Sequence, residues 1–180
     1  MKINVVARRY VDVFESLVFS HSVKFEVLDY PSFSAIPDIL ILYEPSPIEL
    51  MCDYNMLIKL NPKAKFIVFA SSQNKAVYSA FLPYACIFDS KGTYELEKVI
   101  QEVHKSDCSF DRLSFSALEK SFLSALSSGL NAQEIGERLE LTDRSVRRVK
   151  EKLLKKTNLF SIQQLLIFSI MDEYINIHSC

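Results

Sequence analysis

Five short apolar runs occupy the first half of the chain, INVVA (3–7), VKFEVLDY (23–30), PDILILYEP (37–45), KFIVFASS (65–72) and ACIFD (85–89). Between them lie stretches of helical period: VDVFESLVF (11–19), IELMCDYNMLIKL (48–60), KAVYSAFLPY, which Pro83 should stop, and TYELEKVIQEVHK (93–105). This alternation constrains the fold more than any other feature. A run such as ILIL, apolar at every position and bounded by prolines, suits a strand covered on both faces rather than on one. Strands that alternate with helices pair in parallel, because each return to the sheet needs a crossover connection. The expectation is an α/β domain over residues 1–105, with a doubly wound, parallel, five-stranded sheet.

The texture changes at Ser106. SDCSFDRLS (106–114) is polar and aperiodic and reads as a linker. From 115 to 180 no strand pattern appears, and helix start and stop signals recur. Ser116 and Glu119 have the spacing of a capping box, as do Asn131 and Glu134. Thr142 is a third N-cap, and Ser161 with Gln164 opens the last helix. Gly129 and Asn158 stand where left-handed helix ends are expected. Four helices joined by short connections make an all-α domain over residues 115–180.

The charge is distributed as unevenly as the period. The whole chain carries 21 basic and 22 acidic residues and a net charge of −1. Attraction to an anionic partner must therefore come from a local patch. TDRSVRRVKEKLLKK (142–156) supplies one, with seven Lys or Arg against one Asp and one Glu. The longest apolar runs fall well short of the roughly 20 residues of a membrane span, and the arginines at 8 and 9 leave no room for a signal-peptide core. Cys52, Cys86, Cys108 and Cys180 are far apart, and His21, His104 and His178 do not cluster with them. Those spacings favour reduced thiols over a disulfide framework or a metal site. The expectation is a soluble, cytoplasmic protein with no membrane segment, no metal and no cofactor. No His or Cys sits at a telling distance from acidic partners, and none of the three glycines forms a phosphate loop. An enzyme is not expected.

QEIGERL and DRSVRRVKEKLLKK, separated by three residues, have the spacing of a helix-turn-helix. At about 100° per residue, Val146, Val149 and Leu153 share one face of the second helix, with Leu154 at its edge. Arg144, Arg147, Arg148, Glu151 and Lys155 share the opposite face. Gly136 in the first helix costs about 1 kcal/mol in helix propensity, tolerable where two helices cross too closely for a β-carbon.

The segment FSALEKSFLSALSSGLNAQEIGERLELTDRSVRRVKEKLLKKTNLFSIQQLL resembles the DNA-binding domain of LuxR/FixJ-type, NarL-like transcription regulators. The matching motifs are Glu119, Gly129-Leu130, Glu134-Ile135, Thr142, Ser145-Val146-Arg147 and Lys155-Lys156, in order. Ala117, Glu140 and Val149 depart from it, where Pro, Gly and His are frequent. The resemblance implies double-stranded DNA as the partner and Asp143 to Lys156 as the helix that enters the major groove. It puts Arg147 and Arg148 at base edges, where an Arg fork bridges O6 and N7 of guanine. Thr142, Arg144, Ser145, Lys152 and Lys155 would then lie nearer phosphates. Glu151 has two readings, acceptor from a cytosine N4 amino group or i,i+4 salt bridge to Arg147 or Lys155. The last helix, with Leu165, Leu166, Phe168 and Ile170, is more apolar than one small core needs. The resemblance makes it the dimer contact, within a homodimer or a heterodimer with a related regulator.

Ahead of such a domain, a βα repeat of this size looks like a response-regulator receiver. Phosphorylation there needs an acceptor Asp, an acidic pair for Mg²⁺, a Ser or Thr, and a Lys. This sequence places Arg8 and Arg9 where the acidic pair is expected, Tyr43 at the acceptor position, Ala70 at the hydroxyl position and Asp89 at the Lys position. A one-residue shift brings in Glu44 or Ser71 but still no acidic pair. The expectation is a degenerate receiver that acts without conventional aspartyl phosphorylation. Glu44 pairing with Arg8 or Arg9, an anionic ligand held by those arginines, and an inert surface are the readings left open for the pocket.

Overall fold

A computed structural model of the protein describes residues 3–8, 23–28, 36–81, 85–90, 95–106 and 113–178; the side chains of residues 8, 28, 85 and 175–178 are not described. The expected helix over 11–19 and most of the linker, 107–112, lie outside the described residues. The chain divides into two units, Met1–Lys75 with Leu82–Phe110, and Ala76–Phe81 with Asp111–Cys180.

The first unit is built on a sheet of β1 (Ile3–Arg8), β2 (Val23–Leu28), β3 (Ile39–Tyr43), β4 (Lys65–Ala70) and β5 (Ala85–Asp89). Its order is β2-β1-β3-β4-β5 and every pairing is parallel. This is a doubly wound order, with its switch point between β1 and β3. The helices that alternate with these strands along the chain are α1 (Pro47–Leu60), α2 (Ser72–Phe81) and α3 (Leu96–Lys105), of which Ala76–Phe81 of α2 is grouped with the second unit.

Side-chain alternation along the strands sorts the apolar runs into two layers. Ile3, Val5, Ala7, Ile39, Ile41, Ile67 and Phe69 line one face, where Leu96, Ile100 and Val103 of α3 pack. Leu40, Leu42, Phe66 and Val68 fall on the other face and are equally buried. Tyr54 of α1 lies against Phe66 there, with ring centroids 5.4 Å apart. Helix α1 starts one residue earlier than its apolar pattern suggests, because Ser46 caps it. The Ser46 hydroxyl accepts from the Glu49 N–H at 3.3 Å, the Glu49 carboxylate accepts from the Ser46 N–H at 2.9 Å, and Pro47 fills the first turn.

The second unit holds α4 (Ala117–Ser127), α5 (Ala132–Arg138), α6 (Asp143–Thr157) and α7 (Ile162–His178). Ser116, Asn131 and Thr142 cap the first three, the former two in full capping boxes. Each of these helices ends in the same device, a left-handed residue flanked by two backbone hydrogen bonds that close the last turn. At Gly129 the bonds run from Leu130 N–H to Ala125 O (3.2 Å) and from Gly129 N–H to Leu126 O (2.9 Å). At Glu140 they run from Leu141 N–H to Gly136 O (2.8 Å) and from Glu140 N–H to Glu137 O (3.4 Å), and at Asn158 from Leu159 N–H to Leu154 O (2.9 Å) and from Asn158 N–H to Lys155 O (3.4 Å). The φ angles are +83°, +54° and +55°. Gly and Asn suit that conformation, whereas Glu140 adopts it with a β-carbon in place.

The core of this unit includes Phe122, Leu123, Leu126, Ile135, Val146, Leu153, Leu159, Leu165, Phe168 and Met171. Gly136 lies where α5 and α6 cross: a β-carbon there would stand 3.1 Å from the Leu141 carbonyl oxygen and 3.4 Å from Val146 Cγ2. Among the described residues no helix is long and apolar enough to cross a membrane.

Candidate nucleic-acid interface

Helix α6 turns its charges outward because its apolar positions fall on one side. Val146, Leu153 and Thr157 are buried, and Val149, Lys150 and Leu154 are half-buried. Arg144, Arg147, Arg148, Glu151, Lys152 and Lys155 are all exposed. The Thr142 hydroxyl caps the helix by accepting from the Ser145 N–H at 3.3 Å, and it lies 3.0 Å from the Ser145 hydroxyl. Both hydroxyls expected near phosphates are thus engaged in holding the first turn, which orients Arg144 and Arg147 beside them.

The basic residues are of two kinds. No acidic group among the described residues lies within 4.0 Å of the cationic atoms of Arg144, Arg147, Arg148 or Lys155. Glu151 makes no ion pair with Arg147 or Lys155 among those residues either, so the salt bridge considered for it does not form. Lys152 and Lys156, by contrast, converge on one buried carboxylate. Lys152 Nζ stands 2.8 Å from Glu119 Oε1 and Lys156 Nζ 2.8 Å from Glu119 Oε2. The same Oε2 accepts from the Ser116 N–H at 2.9 Å, and the Lys156 ammonium lies 5.0 Å from the centre of the Phe115 ring. The Lys152 contact is an ion pair without hydrogen-bond alignment, so Glu119 Oε1 is buried with no aligned donor. Lys152, Lys156 and the Ser116 N–H hold the Glu119 carboxyl down to about 2, against an ordinary 4.5, and burial opposes them. The expectation that Lys152 reaches a phosphate is therefore at odds with where its ammonium lies.

The four residues expected to make a dimer contact divide between inside and outside. Leu165 and Phe168 are buried, Phe168 edge-on to Phe115 at 5.9 Å. Leu166 is half-buried and Ile170 is exposed. An apolar circumference does not reveal which stripe faces inward; Leu165, Phe168 and Met171 do, one turn apart. Ile162, Leu166 and Ile170 form the stripe that reaches the surface, and Phe160 just before them is 80% exposed.

The receiver-like pocket lies at the C-terminal edge of the sheet. Arg8 ends β1, paired in register with Leu42, and its side chain is not described; Arg9 lies outside the described residues. Tyr43 ends β3 opposite Phe69, and Ala70 ends β4 opposite Asp89. Ala70 is buried, while Tyr43 and Asp89 are half-buried. Glu44 is exposed with φ +42°, and its carboxylate accepts from the Ser90 hydroxyl at 2.5 Å. The Tyr43 hydroxyl donates to the Ser90 carbonyl at 3.0 Å. Ser90 thus ties the ends of β3 and β5 together. A serine after a strand carries no sequence signal for that role. Among the described residues no group of three or more His, Cys, Asp or Glu is placed to hold a metal ion.

No protein-family model matches the chain, and no curated protein does. Solved structures do. An RcsB two-component response regulator bound to DNA aligns over 93% of this chain and 98% of its own, with a TM-score of 0.61 and 18% identity. RcsB from Salmonella enterica serovar Typhimurium, bound to promoter P1flhDC in the presence of phosphomimetic BeF3−, aligns over 96% of this chain and 100% of its own, with a TM-score of 0.64 and 17% identity. The same protein on promoter rprA gives a TM-score of 0.60 at 17% identity, over 95% and 100% of the two chains. The chain shares its fold, across both units, with response regulators captured on DNA.

Proposed function

We propose that this protein is a sequence-specific, DNA-binding transcription regulator of the LuxR/FixJ type, with α5, its turn and α6 as a helix-turn-helix. The observation that carries this reading is the face of Arg144, Arg147, Arg148 and Lys155: outward, exposed and without an acidic partner among the described residues. A solvated helix of no function has no need to leave four cations unpaired on one side and bury Val146 and Leu153 on the other. Arg147 and Arg148 read base edges, while Arg144 and Lys155 neutralise phosphates. The likeness in fold to DNA-bound response regulators supports the same reading.

The regulator acts without aspartyl phosphorylation. Tyr43, Ala70 and Asp89 stand in place of the acceptor, the hydroxyl and the lysine, and Arg8 and Arg9 stand in the sequence where an acidic pair would hold Mg²⁺. The domains run over 1–105 and 115–180 with 106–114 as linker. Dimers form through α7, by Ile162, Leu166 and Ile170 with Phe160, and align two α6 helices on half-sites about one DNA turn apart. A heterodimer with a related regulator uses the same stripe.

The experiment is binding of the purified protein to DNA from its own promoter region, with affinity followed against salt. Each phosphate neutralised adds about −0.9 to the log–log slope. Arg144 and Lys155 alone put the slope near −2 per protomer, and an affinity indifferent to salt contradicts the proposal.

A further inference from the structure

Seven cations lie on α6, but only some are free to meet DNA, and the structure sorts them. We infer that Glu119 is a positioning residue of the DNA interface: it holds the Lys152 ammonium against the helical unit and so keeps Lys152 off the DNA backbone. The inference rests on the proposal that α6 binds DNA and adds to it a control on non-specific affinity.

Lys152 is placed to join the phosphate contacts. It follows Arg148 by one helical turn and precedes Lys155 by three positions, which sets it at the border of the basic face. Its side chain is 68% exposed, so packing does not restrain it. Glu119 does, at 2.8 Å, with a carboxylate only 3% exposed. Were Lys152 to swing toward a phosphate, Glu119 Oε1 would be left buried, charged and without a facing cation. The carboxylate would keep Lys156 and the Ser116 N–H, but losing one of its two cations from a buried position costs more than one screened surface contact returns. Nor can the carboxylate turn to compensate. Its other oxygen is fixed by the Ser116 N–H at 2.9 Å, within the capping box that starts α4, and by Lys156, whose ammonium is itself seated over the Phe115 ring. The clamp is set by the fold of the unit, before DNA arrives.

The consequence is selectivity. A long flexible lysine on a phosphate adds affinity for every DNA sequence alike. Withholding one at the edge of the reading face lowers background binding and leaves Arg147 and Arg148, the base readers, unaffected.

The test compares salt slopes of the full chain on one promoter fragment. Glu119→Gln keeps the shape of the side chain and releases Lys152. The slope is expected to steepen by about 0.9, and the double variant Glu119→Gln, Lys152→Gln to return it to the wild-type value. Over a fourfold rise in salt, the single variant then loses about threefold more affinity than wild type. A folded Glu119→Gln protein with the wild-type slope overturns the inference and leaves the DNA-binding proposal standing. A wild-type slope of zero overturns both. Should Glu119→Gln not fold, Lys152→Gln alone decides. A slope change below about a third of a unit supports the clamp, and a full change of about 0.9, equal to that of Lys155→Gln, overturns it.

Discussion

Glu140→Gly should stabilise the helical unit. Glu140 occupies the left-handed position that closes α5, with φ +54° and both flanking hydrogen bonds made, at 2.8 and 3.4 Å. Holding a residue with a β-carbon in that region costs roughly 1–2 kcal/mol. Glycine removes that cost but adds freedom to the unfolded chain, returning roughly 0.4–1 kcal/mol. The net gain is about 0.5–1 kcal/mol, or roughly 2–8 °C in melting temperature for a domain of this size. Gly129→Ala is the converse at the same position of α4. A β-carbon there meets nothing within 4 Å, so only the backbone at φ +83° opposes it, and a loss of about 1 kcal/mol is expected. Thermal and urea melts of both variants, followed by helical circular dichroism, check the pair. An unchanged or lower stability for Glu140→Gly, beside a loss for Gly129→Ala, would refute the assignment of strain to Glu140.

Gly136→Ala gains about 1 kcal/mol of helix propensity, yet its β-carbon would sit 3.1 Å from the Leu141 carbonyl, in a turn already fixed by the Leu141 N–H bond to Gly136. The expected outcome is a net loss of stability in the same melts. Glu119 gives the unit a pH dependence of definite sign. Its folded value of about 2 lies below its ordinary 4.5, so its stabilisation is fully present above 4.5 and is lost as pH falls from there through about 2. Glu119→Gln should flatten the stability profile across that window. Acetyl phosphate with Mg²⁺ should leave the intact mass unchanged, and a gain of one phosphoryl group contradicts the degenerate-receiver proposal.

The five strands were legible because runs such as ILIL and FIVFA are apolar at every position, which suits a doubly covered sheet. The N-caps were legible because a capping box is a local pattern: Ser116 with Glu119, and Asn131 with Glu134, form the bonds their spacing implies. Ser46 with Glu49 escaped notice behind the prolines around it. Pairings distant in sequence were not legible. Glu119 meets Lys152 and Lys156 across more than thirty residues, and Glu44 meets Ser90 across 46. No periodicity encodes such a contact; only the packing of α4 on α6, or the order of β3 and β5 in the sheet, creates it. For the same reason the sequence does not show Lys152 beside Glu119, nor which of Leu165, Leu166, Phe168 and Ile170 cover the core.

The central claim is that the outward face of α6 reads base sequence. It is tested by Arg147→Ala, with affinity measured on a site selected by the wild-type protein from random-sequence DNA and on a scrambled fragment at the same salt. The account predicts a loss of roughly 1–3 kcal/mol on the selected site, with much less change on the scrambled one and relaxed preference at one base position. Equal losses on both fragments, or an unchanged footprint and base preference, would contradict it.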